Sequence, residues 1–227
     1  MIAIAIAAKN EWKTVLEKYN VNSCEEYPLG QYFKINLYGL EILFYNCGSR
    51  KMRCSASTQY MIDHFDLEKI IVVGTCAGID NKYKTFDVFF PNKFVQYDCT
   101  VKESEPLIKD SYTIELDMTK YLNVKTGTLA TADKPVVTWK DYEELKENGI
   151  TIADMEAAAV VYICKANNIE CVVIKGISDF PINENETSKQ ESYDKQFEVY
   201  MTNTPMVLNN IIDNHLEFAI MNHFNYK

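Results

Sequence analysis

The segment Ile70-Ile71-Val72-Val73-Gly74-Thr75-Cys76-Ala77-Gly78 carries the clearest signal of the fold. Its four leading residues are apolar and β-branched, a run typical of a strand that is covered on both faces. The glycines that follow predict a tight turn, where backbone N–H groups and the hydroxyl of Thr75 are exposed. A second apolar run, residues 171–174, leads into Gly176-Ile177-Ser178-Asp179. Both segments therefore predict buried strands whose carboxyl ends carry polar groups.

Strand and helix patterns alternate along the chain. Isoleucine and alanine alternate over residues 2–8, which is typical of a central strand on which a neighbouring layer packs closely. This alternation predicts one domain over residues 1–227, a three-layer α/β/α fold with a central mixed sheet. Residues 98–122 give no clear pattern. We predict further strands or β-rich segments at residues 32–37, 40–45, 86–90, 93–97 and 124–129, and helices at residues 51–65, 138–148, 154–167 and 188–215.

Charge limits the classes of partner. The 227 residues carry a net charge of −9, with a pI of about 4.9. Surfaces that bind nucleic acid or anionic membranes are usually basic, so neither partner is expected. The net negative charge does not exclude a small anionic substrate, because a local cluster of basic groups can bind one.

Cysteine usage and the amino terminus predict a cytoplasmic protein. The seven cysteines are widely spaced and form no CxxC pair, which indicates buried thiols in a reducing compartment. The apolar opening is too short for a signal peptide or a membrane span. No metal site is predicted, because the histidines are not spaced with acids or cysteines as ligands are; they are His64, His215 and His223.

Carboxylates follow three of the predicted strands. Glu11 and the Asp154-Met155-Glu156 segment have an ordinary explanation as acids or caps at helix starts, and Asp179 can cap a turn before Pro181. Each also has a functional explanation. A carboxylate can accept hydrogen bonds from both hydroxyls of a ribose diol. A buried Asp179 can act as a general acid, and Glu11 can act as a general base on water.

Together the three carboxylates favour cleavage of a glycosyl C–N bond. That reaction needs an acid for the leaving base, an anchor for the sugar and a positioned nucleophile. Asp179, Glu156 and Glu11 match these three needs. The chemistry requires no cofactor.

Five segments resemble the nucleoside phosphorylase/nucleosidase superfamily over nearly the whole chain, most closely its 5′-methylthioadenosine/S-adenosylhomocysteine nucleosidases. Two motifs about twenty residues apart are the specific part of the match. Ala153-Asp154-Met155-Glu156-Ala157-Ala158-Ala159 is similar to the family's V-E-M-E-A-A-A, and Lys175-Gly176-Ile177-Ser178-Asp179 to its R-x-I-S-D. The opening strand with Glu11, the Gly-rich residues 74–78 and Gln96-Tyr97-Asp98 are supporting matches.

The resemblance implies a nucleoside phosphorylase-like fold with a partly barrel-like sheet, assembled as a homodimer or larger homo-oligomer. It also implies roles at the matching positions. Glu156 binds the ribose hydroxyls, Met155 packs under the sugar, and Asp179 protonates N7 of the purine while Ser178 orients it. Glu11 activates water. Val136 presents backbone groups to the base, and the segments around Thr75 and Asp154 contribute to substrate binding.

Four positions depart from the family pattern. The usual G-I-G loop is Gly48-Ser49-Arg50 here, so Arg50 is either the start of a solvated helix or a ligand for an anion. Val72 stands where the hexameric phosphorylases carry an arginine. Lys175 replaces the arginine of R-x-I-S-D and loses its planar fork. Pro135 stands where an aromatic residue often covers the purine.

Three functions follow, in order of preference. The first is hydrolysis of a purine nucleoside of the methylthioadenosine or adenosylhomocysteine type, because Glu11 is present and Val72 replaces the arginine. The second is a phosphorylase that holds phosphate through Arg50, Thr75 or both. The third is a nucleoside-binding homologue with a degenerate site, suggested by Pro135 and Arg50.

Overall fold

A computed structural model describes residues 1–99, 113–182 and 188–222 of the chain. Strands and helices alternate through it, as predicted. The strands are β1 (Ile2–Ile6), β2 (Glu25–Tyr27), β3 (Gly30–Leu37), β4 (Leu40–Asn46), β5 (Lys69–Gly78), β6 (Val88–Phe89), β7 (Lys93–Gln96), β8 (Thr113–Glu115), β9 (Thr128–Thr131), β10 (Ile152–Asp154) and β11 (Glu170–Asp179). The helices are α1 (Lys9–Lys18), α2 (Lys51–His64), α3 (Trp139–Glu147), α4 (Ala157–Ala166), α5 (Lys189–Ile211) and α6 (Glu217–Met221).

The eleven described strands form one mixed sheet that branches at β5. Its main path runs β2-β3-β4-β1-β5-β10-β9-β7-β8, and β11 pairs with β5 and β6. Strand β5 is parallel to β1 and β11 and antiparallel to β10. Since the described strand path ends at β2 and β8, the described sheet is open rather than closed into a barrel. The parallel strands β1, β5 and β11 bring their carboxyl ends to one edge.

Helices cover both faces of the sheet, which confirms the three-layer prediction. The alternation in β1 decides which side chain faces which layer. Ala3 and Ala5 lie in a core cluster with α2 and α4. Ile4 and Ile6 lie in the cluster formed with α1, α5 and α6. The small alanines let α2 and α4 approach closely, while the isoleucines fill the wider space on the other face.

The turn predicted at residues 74–78 is wrong, because these residues belong to β5. Residues 176–179 likewise belong to a strand, β11. Strand β5 continues to Gly78 because β11 and β10 pair with it along its whole length. The glycines provide room rather than a turn. A Cβ at Gly74 would lie 2.9 Å from a carboxylate oxygen of Glu11, and one at Gly78 would lie 2.3 Å from the ring of Phe180.

Several predicted boundaries also move. The strand expected at residues 124–129 is β9, Thr128–Thr131. The helix expected from residue 154 begins at Ala157, because residues 152–154 pair in the sheet. The long helix expected at residues 188–215 is α5, followed by a π-helical turn over Ile212–Leu216. Residues 100–112, within the unassigned segment, and residues 223–227 lie outside the described part.

Within the described ranges, no helix has both the length and the apolar character needed to cross a bilayer.

Candidate active site

A cavity of about 310 Å³ opens at the edge where β1, β5 and β11 end. All the residues that the sequence singled out for catalysis or binding line it: Glu11, Arg50, Thr75, Val136, Asp154, Met155, Glu156, Ser178 and Asp179. The fold thus brings together segments that are far apart in the chain. A cavity of this volume, lined by apolar side chains and a few polar groups, is typical of a site that binds a small molecule.

Glu11 is fixed beneath the cavity by three hydrogen bonds. Its Oε1 accepts from the backbone N of Thr75 and from Thr75 Oγ1, both at 2.7 Å. Its Oε2 accepts from the backbone N of Ala8 at 3.0 Å, as the third residue of a helix does in a capping box. A carboxylate offers about four acceptor positions, so one position on Oε2 is left for a ligand or water.

Asp179 ends β11, and hydrogen bonds hold both of its oxygens. Ser178 Oγ donates to Oδ1 at 2.5 Å, and Gln196 Nε2 donates to Oδ2 at 2.8 Å. Burial raises the pKa of Asp179 above its ordinary value, although the two hydrogen bonds act in the opposite direction. Asn203 Nδ2 in turn donates to the carbonyl of Ser178 at 2.7 Å, which fixes this strand end to α5.

Glu156 lies just before α4 and is bonded to the loop that precedes α2. Its Oε1 accepts from the backbone N of Arg50 at 3.0 Å. Burial and the neighbouring charge of Asp154 raise the pKa of Glu156 to about 7, against the opposing effect of Lys175.

Arg50 adopts an unusual backbone conformation, with φ 74° and ψ 161°. This region is populated almost only by glycine and costs about 1–3 kcal/mol for another residue. Arg50 is exposed and lines the cavity. Within the described ranges no ion pair of 4.0 Å or less involves its guanidinium. The next amide, that of Lys51, donates to Asp133 Oδ1 at 2.9 Å, so two carboxylates hold two successive N–H groups of this strained segment.

Asp154 lines the cavity, and partners within the protein hold both of its oxygens. Its Oδ2 lies 3.0 Å from Lys175 Nζ and accepts from the backbone N of Ala157 at 3.0 Å. Its Oδ1 accepts from Thr131 Oγ1 at 2.6 Å. The interpretation of Asp154 as a group that caps the following helix therefore agrees with this geometry.

Lys175 is fully buried below three carboxylates. Burial by itself lowers the pKa of an amine, but Asp154, Glu11 and Glu156 more than offset this, so the pKa of Lys175 lies above its ordinary value. Lys175, which replaces the arginine of the family's R-x-I-S-D motif, thus supplies a positive charge that balances these carboxylates.

Helix α5 contributes a wall that the sequence analysis missed. Tyr193, Gln196, Phe197 and Tyr200 line the cavity. Their spacing of three, four and seven residues places them on one face of the helix. That spacing was the available signal. It went unnoticed because most of this part of α5 is exposed and no motif marks it.

The remaining walls come from the two segments flanking β10. Pro135, Val136 and Val137 precede α3, Met155 follows β10, and all four line the cavity. Val136 is buried and Met155 is half-buried. These side chains give the cavity an apolar section beside the carboxylates.

Comparison with known proteins places this chain within a family. A model of the phosphorylase superfamily matches residues 1–213. The 5′-methylthioadenosine/S-adenosylhomocysteine nucleosidase of Thermotoga maritima is 27% identical over 150 residues, which are 64% of this chain and 69% of that protein. An aminodeoxyfutalosine nucleosidase of Helicobacter pylori is 26% identical over 196 residues, 78% of this chain and 85% of that protein.

Solved structures agree at the level of the fold. A crystal structure of an aspartate-to-asparagine mutant of a 5′-methylthioadenosine/S-adenosylhomocysteine nucleosidase from H. pylori, with 5′-methylthioadenosine in its active site, superposes with a TM-score of 0.75. It shares 21% identity, and the superposition covers 93% of this chain and 97% of that one. Since the family model extends over nearly the whole sequence, this chain belongs to the phosphorylase superfamily.

Proposed function

We propose that this protein hydrolyses the N-glycosidic bond of a purine nucleoside, of the 5′-methylthioadenosine or S-adenosylhomocysteine type, and releases the free base and the sugar. The arrangement of Asp179, Glu156 and Glu11 around one cavity supports this reaction. The nucleosidase names of its relatives from T. maritima and H. pylori also support it.

Asp179 is the proposed general acid. Burial raises the pKa of Asp179 and so favours the protonated carboxyl, which can deliver its proton to N7 of the base. Ser178 orients Oδ1 through its hydroxyl. Protonation at N7 lets the electron pair of the breaking C1′–N9 bond move into the base, and positive charge then develops on the sugar.

Glu11 is the proposed general base. The free acceptor position on Oε2 can take a proton from a water molecule as its oxygen bonds to C1′. Glu156 accepts hydrogen bonds from the ribose hydroxyls, and Met155 packs under the sugar. Val136 presents backbone groups to the base. Asp154 acts through Lys175 and the start of α4 rather than by contact with substrate.

One observation carries the choice of water over phosphate. The amide and hydroxyl of Thr75, the groups that a phosphate at this strand would use, both donate to Glu11 Oε1. A phosphate there would lose both donors and lie beside a carboxylate, which is unfavourable in a buried site. Arg50 lines the cavity, and its guanidinium is proposed to hold an anionic group of the substrate instead.

The test is release of base from methylthioadenosine, adenosylhomocysteine, inosine, adenosine and uridine, each with and without phosphate. Base released at the same rate without phosphate supports the hydrolase. A strict requirement for phosphate would establish the phosphorylase and make Thr75 and Arg50 the anion site. Tight binding of nucleosides with no cleavage of any of them would establish the degenerate homologue.

The wider setting is also proposed. We expect one domain over residues 1–227, a cytoplasmic location and a homo-oligomer of two or more subunits. Sedimentation of the purified protein measures the last of these.

A further inference from the structure

Gln196 holds the proposed acid with one end of its amide. It lies on α5, is 7% exposed and lines the cavity. Its Nε2 donates to Asp179 Oδ2 at 2.8 Å, and the other oxygen of that carboxyl accepts from Ser178. The amide nitrogen therefore has a fixed partner in the ionised site.

The other end of the amide has no partner in the part of the chain that the structure describes. Gln196 Oε1 is buried and accepts no hydrogen bond from the described residues. A buried acceptor without a donor costs about 1–3 kcal/mol. In the proposed reaction the proton of Asp179 goes to N7 of the base. Turning the amide over would then place Oε1 against the carboxylate of Asp179, two acceptors facing each other, so the hydrogen bond to Asp179 determines which way the amide points. A donor that enters with the ligand would satisfy this oxygen.

The chemistry of purines says which donor that is. N7 and the 6-substituent lie on the same edge of the base. Adenine presents there an N7 acceptor and an amino donor, whereas guanine presents two acceptors, N7 and O6. A base with N7 at Asp179 therefore places its 6-substituent next to the residue that holds Asp179. An amino group meets the free Gln196 Oε1, and a carbonyl oxygen meets a second acceptor.

We propose that Gln196 selects the base, because its amide nitrogen positions Asp179 while its amide oxygen accepts a hydrogen bond from the 6-amino group of a purine. This inference rests on the proposed function. It makes 6-aminopurine nucleosides the substrate class and leaves 6-oxopurine nucleosides disfavoured.

The first test changes only the 6-substituent. Hydrolysis of 5′-methylthioadenosine and 5′-methylthioinosine is measured for the wild type, Gln196→Met and a control, Gln190→Met. Gln190 is exposed on the same helix and donates to Asp194. We expect the wild type to prefer the 6-amino substrate in kcat/KM by at least about 100-fold, because sites built to bind an N–H reject analogues that lack it. Gln196→Met should reduce this ratio by about 10-fold or more, and Gln190→Met should leave it unchanged.

A general loss of structure would lower both rates together and leave the ratio intact, and that result would overturn the proposal. The pH profile gives a second readout. Loss of the hydrogen bond from Gln196 removes an influence that lowers the pKa of Asp179. The alkaline limb of kcat/KM should therefore move to higher pH in Gln196→Met, and an unmoved limb would contradict the positioning role.

Binding of free bases separates this inference from the proposed function. Calorimetry with adenine and hypoxanthine needs no bond cleavage. The wild type should bind adenine more tightly than hypoxanthine, with the difference lost in Gln196→Met, even if no nucleoside is hydrolysed. Equal affinities in the wild type would refute the role of Gln196, and adenine selectivity without any hydrolysis would refute only the reaction.

Discussion

Glu11 Oε1 accepts two hydrogen bonds from a single residue, Thr75, one from the backbone N and one from the hydroxyl, each at 2.7 Å. The first prediction follows from this contact. Glu11→Gln places an N–H group against donors that are already fixed, and removes the base. We expect kcat to fall by about 10²–10⁴-fold with little change in KM.

Glu17→Gln, an exposed position on the same helix, is the matched control. Steady-state kinetics with 5′-methylthioadenosine measure both, and a Glu11→Gln variant with most of its activity would remove Glu11 from the role of base.

The second prediction concerns Asp179. Asp179→Asn cannot deliver a proton, so kcat should fall by about 10²–10⁴-fold. The circular dichroism spectrum should stay unchanged. Because the acid must be protonated, kcat/KM of the wild type should decrease as pH rises through the raised pKa of Asp179. Asp194→Asn, exposed on α5, should have wild-type kinetics. A kcat/KM that rises with pH throughout this range would contradict the assignment.

The third prediction concerns stability and pH. The pKa of Glu156 rises from 4.5 to about 7 on folding, so the folded protein binds more protons than the unfolded chain between these values. The contribution of Glu156 to the free energy of unfolding is therefore smallest above pH 7. The free energy of unfolding should decrease as the pH rises from about 4.5 to 7. Glu156→Gln should flatten this decrease and raise the free energy of unfolding at pH 8 by about 1–3 kcal/mol.

Urea titrations of the wild type and Glu156→Gln at pH 4.5, 6 and 8 measure the effect. The variant should also bind nucleosides less tightly, since an amide offers fewer acceptors to a diol. The opposite result would be a free energy of unfolding of the wild type that increases between pH 4.5 and 7. It would contradict the prediction, because it would mean that folding favours the ionised form of Glu156.

The fourth prediction concerns the buried pair of Lys175 and Asp154. Lys175→Met leaves the carboxylate of Asp154 buried without its cation, which costs about 3–5 kcal/mol. The double variant with Asp154→Asn should recover part of this loss, because no unpaired charge remains. Lys140→Met, an exposed site, should be neutral. Urea unfolding measures each variant, and additive losses in the double variant would mean that the two groups do not interact.

The fifth prediction separates the backbone of Arg50 from its charge. Arg50→Gly permits φ 74° without strain, so it should be more stable than Arg50→Ala by about 1 kcal/mol or more. Both variants lose the guanidinium. For a nucleoside with a carboxylate on its 5′ substituent, both should therefore raise KM by about 10-fold, the effect of about 1.4 kcal/mol. Neutral methylthioadenosine should be unaffected, and equal changes for the two substrates would assign the effect to the backbone alone.

Much of the fold was accessible from the sequence because apolar periodicity reports burial. The alternation of residues 2–8 and the apolar runs at residues 70–73 and 171–174 identified the central strands. The turn predicted after residues 70–73 was wrong. Glycine permits both a turn and a close approach, and only the contacts of Gly74 with Glu11 and of Gly78 with Phe180 distinguish the two.

The candidate site, like the fold, could be predicted from the sequence only in part. Glu11 and Asp179 lie at the carboxyl ends of the parallel strands β1 and β11, so their convergence could be predicted. Glu156 follows β10, which runs antiparallel to the end of β5, and this pairing could not be predicted. Gln196 could not be assigned to Asp179, because that contact depends on how a helix beginning at Lys189 packs against β11. The strain at Arg50 was likewise hidden, since it arises from two hydrogen bonds to distant carboxylates.

Pro205 divides α5 into two parts with different anchoring. It has no N–H to donate to the carbonyl of Met201, so the helical ladder is interrupted there. Beyond it, Val207 and Leu208 are fully buried. Before it, the part that carries Gln196 is mostly exposed. Amide hydrogen exchange in the first part should therefore report local opening at a lower free energy than in the second. Each such opening breaks the contact with Asp179, so the proton-donating group and the surface that recognises the base are released together, at a cost below that of global unfolding.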